Sequence, residues 1–163
     1  MLKLRILILT FLAIISCNCQ KTEKKKTVQH KNTVESEYVS AFLDEKNYTL
    51  LSNIQDVIRF EIRKHLLEGT TNEYSNKLII QDTLTKPKAN ELIKRLSNDK
   101  SYNWDVVADD RNFEPTTQIL LKSNGGRLNL LIDENFERMS FINLEGQKIV
   151  VLSKEFSLFL MDM

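Results

Sequence analysis

Cysteine is nearly missing from this chain. Its 163 residues include only Cys17 and Cys19, both close to the start. No disulfide framework can staple the remainder, so a packed core must hold it. Histidine is as scarce, with His30 and His65 the only imidazoles. A zinc centre would need further ligands at suitable spacing, and none stand there. The four glycines fall at loop or turn positions, which excludes a glycine-rich phosphate cradle. No G-x-S-x-G, Walker or dinucleotide signature occurs. No apolar run reaches the ~20 residues a membrane-spanning helix needs. We therefore expect no metal, no cofactor and no catalytic residue set.

What is present begins with a three-part N-terminus. Lys3 and Arg5 give a short positive region, and Ile6 to Ile15 is an apolar run broken only by Thr10. Small Ser16 follows. This layout predicts a secretory signal over 1–16. Ile14-Ile15-Ser16-Cys17 resembles the lipobox of bacterial lipoproteins. The resemblance implies a diacylglycerol on the sulfur of Cys17, cleavage before it, and acylation of the new amine. Cys19 does not fit as acceptor, because Ser16 would then hold the aliphatic position. Two or more acyl chains anchor a protein stably, at about 0.8 kcal/mol per buried methylene. The second residue of the mature chain is Asn18 and not Asp, which by the best-known sorting rule implies the outer membrane. The expected address is thus the bacterial cell envelope, with the membrane as partner through Cys17.

Residues 17–34 read as a lipidated tether. Residues 20–34 hold five Lys, one Glu and no apolar periodicity. Such composition cannot offset chain entropy by burial. Its reach as a flexible chain is about 20 Å. It serves as a solvated spacer or lies against anionic headgroups. Residues 35–163 form a single domain with 16 basic and 21 acidic residues, a net charge of −5. An acidic domain without a basic stripe argues against nucleic acid as a partner.

Within that domain the pattern predicts α+β: an antiparallel sheet of about five or six strands against one main helix, with a short C-terminal helix. Tyr38, Ala41 and Phe42 suggest a helix over 35–46. Residues 57–64 alternate, with Ile58, Phe60 and Ile62 against Arg59, Glu61 and Arg63. That is a half-buried strand; a helix from Asn53 fits less well because it strands Phe60. Residues 78–84 read as a strand, and 86–97 as the clearest helix, with Thr85 as N-cap, Pro87 in its first turn and a stripe of Ala89, Leu92, Ile93 and Leu96. Segments 118–122 and 127–132 flank Asn124-Gly125, a hairpin signal because both residues tolerate positive φ. Strands 138–143 and 148–152 follow. Ser153 then caps a final helix carrying Phe156, Phe159 and Leu160.

Residues 57–160, and Phe113-Glu114-Pro115 within them, resemble a group of small Gram-negative lipoproteins with a Phe-x-Pro motif before a strand. The group has Cys before that Phe and His after that Pro. Here Asn112 and Thr116-Thr117 stand in those places. The resemblance implies a fold and no activity.

The candidate ligand loop is Trp104, Asp105, Asp109, Asp110 and Glu114. Four carboxylates in a loop could supply half of a Ca²⁺ shell, but they lack EF-hand spacing. Paired carboxylates also serve as acid and base in glycan hydrolysis. Trp104 with Tyr102 could be a sugar-stacking platform or a core anchor. Asp82-Thr83-Leu84 resembles a three-residue O-glycosylation motif. The reading favoured is a non-enzymatic binding or assembly domain for an envelope or secreted protein, or a glycan. An immunity or inhibitor role falls within it. A glycan-processing hydrolase or a passive envelope component is the alternative.

Overall fold

The structure, a computed structural model, describes residues 37–143 and 146–163. The expected signal segment, Cys17 and the tether lie outside the described residues. Val34–Met163 form one compact unit. In chain order it comprises α1 (Glu37–Leu51), β1 (Ile54–Leu66), β2 (Tyr74–Thr83), α2 (Lys86–Leu96), a 3₁₀ turn (Asp99–Ser101), β3 (Pro115–Ser123), β4 (Gly126–Asp133), β5 (Arg138–Asn143), β6 (Gly146–Val151) and α3 (Lys154–Asp162). The six strands form one antiparallel sheet in the order β2-β1-β3-β4-β5-β6. The class is α+β, with α2 on the sheet and a short C-terminal helix.

The core sits on one face of the sheet. Register places Ile119, Leu130 and Phe141 side by side, flanked by Leu121–Leu128 and by Ile132–Met139–Val150. All are buried, and they pack with α1 through Val39, Leu43 and Leu51, with α2 through Ala89, Leu92 and Leu96, and with α3 through Phe156 and Leu160. Fully burying each such side chain contributes about 1.5–3 kcal/mol.

Several local readings change. The α1 stripe is Val39, Leu43, Asn47 and Leu51, not Tyr38, Ala41 and Phe42; Tyr38 is exposed and Phe42 half-buried. The helix also runs on past residue 46, because Asp44 starts a second helical segment. Thr85 occupies the N-cap of α2, but its side chain makes no cap hydrogen bond. Ser153 does cap α3, accepting from Phe156 N at 3.3 Å. The 124–125 turn closes without positive φ at either residue, which instead falls at Gly126 (φ 151°). β1 is a strand, yet its apolar side faces away from the helices, while Val57 enters the core.

Asp44 is one of two non-glycine residues at positive φ among the described residues, Phe136 being the other. It holds φ 67° and ψ 162° inside α1, a region that only glycine enters freely and that costs other residues about 1–3 kcal/mol. Its carboxylate accepts from Asn47 N at 2.9 Å and Asn47 Nδ2 at 2.8 Å, which caps the second segment. The Asn47 backbone hydrogen bond is the main cause that holds its carboxyl below the ordinary carboxylate pKa. We expect Asp44→Gly to melt at or above the wild-type temperature, since strain goes and glycine is a tolerable cap. Asp44→Ala should lose about 1 kcal/mol with the cap while keeping the strain. A depressed folded pKa contributes stability above the unfolded value of ~3.9 that is lost as pH falls through the folded one. Below about pH 4 the balance should therefore shift further toward Asp44→Gly. Thermal melts across pH check both.

Candidate functional site

Trp104 follows the 3₁₀ turn and is held on several sides. Its Nε1–H donates to Asp99 O at 2.9 Å. Its ring lies 5.1 Å from Tyr102, 5.5 Å from Phe42 and 5.9 Å from Tyr38. Tyr102 is buried and its hydroxyl donates to Leu96 O at 2.8 Å; burial pushes its pKa well above the ordinary range. Phe42 and Tyr102 both meet Phe141 of β5. These rings tie α1 and the 3₁₀ turn to the sheet, each pair contributing about 0.5–1.5 kcal/mol beyond area.

The four carboxylates go separate ways. Asp105 and Asp110 are exposed. Asp109 is gripped by Arg111 at 3.0–3.2 Å, and that side-chain hydrogen bond keeps its carboxyl below the ordinary range. Asp109 is thus ionised at neutral pH and has no proton to donate. Glu114 reaches across to Lys64 of β1 at 3.1 Å. Among the described residues no group of three or more His, Cys, Asp or Glu is placed to hold a metal ion. His65 is exposed near the end of β1, and Asp82 is ion-paired with Arg59 at 3.1 Å beside exposed Thr83.

Sequence reasoning missed the pair that fixes this loop. Asp133, only 4% exposed, accepts from Glu137 N and Arg138 N across the β4–β5 turn and from Arg138 Nε at 2.9 Å. Arg138 also donates from Nη1 to Asp109 O (2.9 Å) and from Nη2 to Asn112 O (2.7 Å), with Phe113 under the guanidinium. The only sequence signal was an Asp opening a five-residue turn. Removing one partner of a buried pair leaves the other charge unpaired. Arg138→Met should therefore cost about 3 kcal/mol in urea unfolding and speed proteolysis within 109–113. An unchanged midpoint and cleavage rate would show the loop is held otherwise.

A cavity of about 120 Å³ lies beside Asp44, lined also by Leu43, Asn47, Phe141 and Lys148. It is below the ~300 Å³ of small-molecule sites. A shallow groove between α1 and the 124–125 turn is open and lined largely by polar side chains.

The larger feature is the sheet's other face. Register builds a row of Ile80, Phe60, Gln118, Leu131, Ser140 and Ile149 across all six strands. The next row is Thr83, Ile58, Leu120, Asn129, Ile142 and Gln147. Ile62 pairs Leu78 at one end. Neither row contains a charge. Gln118 Nε2 donates to Asn129 Oδ1 at 3.0 Å, so the central amides are joined by one hydrogen bond. Ser140 Oγ is buried and, among the described residues, has no hydrogen-bond partner. Ile80 is 67% and Leu78 46% exposed. None of these side chains belongs to the core cluster, and no described helix covers them. On the opposite face the same hairpin carries Arg59, Glu61, Arg63, Asp82 and Lys77. The two central rows are thus free of charge, while the rows beyond them on the same face hold Asp56, Lys122 and Arg127 at one end and Lys64, Asp133 and Arg138 at the other.

No protein-family model, no curated protein and no solved structure matches this chain.

Proposed function

We propose that the protein is an envelope lipoprotein, anchored through lipid on Cys17 and lodged in the outer membrane. Its domain is a non-enzymatic binding or assembly module that takes a protein on the open face of its sheet. The observation that carries the binding reading is the pair of uncharged rows centred on Leu131. Monomeric proteins rarely leave contiguous apolar patches beyond a few hundred Å². A broad surface of apolar side chains interspersed with uncharged polar ones suits a protein, whereas a glycan needs convergent polar groups and ring platforms. The lipobox and signal pattern carry the anchor. The Lys-rich tether allows the domain to search within a few nanometres of the membrane.

The test uses the full chain in cells, with a photo-activatable residue at Leu131 or at Val107, which is exposed on the 105–114 loop. A discrete protein adduct should form from position 131 and not from 107. In parallel, Cys17→Ala should leave the membrane fraction. No adduct from 131, or the same adduct from 107, overturns the binding face. A Cys17→Ala protein that still sediments with membranes overturns the anchor.

A further inference from the structure

We propose that the occupant of the open face is a second copy of this chain, docked sheet to sheet about a two-fold axis. This rests on the reading of that face as a protein-binding surface, and it names the partner.

The first argument is charge. In a two-fold interface the same patch serves both copies, so a charge near the axis meets its own like. The twelve positions of the two rows carry none, although 28% of the chain is charged. A different partner would ordinarily be steered and oriented by complementary charge. A domain of net −5 had acidic residues to offer and placed none there. Depletion of charge marks the core of a protein interface, with charged residues left to its rim.

The second argument is desolvation. The polar side chains at the centre of the face, Gln118 and Asn129, already bond each other. Covering them keeps that one hydrogen bond, which lowers the cost of burying these two amides, and Ser140 Oγ in the same row is already buried in the single chain.

The third is size. Six strands about 4.8 Å apart span roughly 29 Å, and the two uncharged rows together with the charged row on either side of them, holding Asp56, Lys122 and Arg127 at one end and Asp133 and Arg138 at the other, span roughly 20 Å. Their plan area is on the order of 600 Å², and the corrugated surface is larger. A stable interface takes about 800 Å² from each side. Two such sheets pack face to face about 10 Å apart. The ends of the rows carry both signs, with Asp56 opposite Lys122 and Lys64 joined to Glu114. Anchoring to one membrane would also raise the effective concentration of copies.

The experiment is sedimentation of residues 18–163, the mature chain without its acylated cysteine, in reductant and from about 1 to about 100 µM. The mass should double within that range. Leu131→Asp should sediment as a monomer with an unchanged far-UV spectrum, and Lys154→Glu, on α3, should dimerise as wild type does. Should Leu131→Asp lose its fold, Gln118→Lys places a charge on the same row and should also give the monomer. A wild-type monomer at the highest concentration overturns self-association. So does a dimer that survives the folded face variant. A monomer here with an adduct to another protein in cells removes only the second copy, whereas no adduct at all removes the binding face itself.

Discussion

Side-chain alternation along β3, β4 and β5 divides this domain, and most other features follow from which residues fall on which side. Ile119, Leu121, Leu128, Leu130, Ile132, Met139 and Phe141 share one face and are buried. Three helices of 15, 11 and 9 residues meet that face. The other face, with Leu120, Leu131 and Ile142, meets no described helix and touches the 109–114 loop only at one end, through Arg138 and Lys64. A one-residue slip in register would exchange the two faces entirely, so the Leu128–Leu130–Ile132 stripe fixes both the core and the surface left open.

The helices do more than cover. Phe42, Tyr102 and Trp104 link α1 and the 3₁₀ turn to Phe141, while Lys148 donates to Phe42 O at 2.6 Å. Arg138 and Asp133 then draw the 109–113 loop onto the sheet end. The acidic residues of that loop are thereby spent on arginine, lysine and solvent. The long β1–β2 hairpin continues past the core with its ion pairs on one side and Phe60, Ile62, Leu78 and Ile80 on the other. Polar chemistry gathers in pairs that hold structure, and the apolar surplus gathers on the open face.

Much of this was legible. The two-residue turn at Asn124-Gly125, the alternation in 127–132 and the stripe of α2 declare hairpin and helix directly. The alternation of Ile58, Phe60 and Ile62 declares a strand, but the sequence holds no sign of which side the helices take. That choice is tertiary, set by where α1 and α2 can reach. The α1 stripe was misjudged because Asp44 to Asn47 read as a polar end, when Asp44 in fact caps a continuation. Arg138 was opaque for a different reason: its partners lie 5, 26 and 29 residues away. Trp104 and the loop carboxylates were visible as residues, and only the folded arrangement shows what each of them touches.

Leu130 and Leu131 are neighbours on one strand, one in the core and one on the open face. Urea unfolding of Leu130→Ala and Leu131→Ala at submicromolar concentration, where single chains prevail, tests the division most directly. The account predicts a loss of about 2–5 kcal/mol for Leu130→Ala and under about 1 kcal/mol for Leu131→Ala. Equal, large losses at both positions would contradict it, because they would mean that both faces of the sheet are buried within one chain.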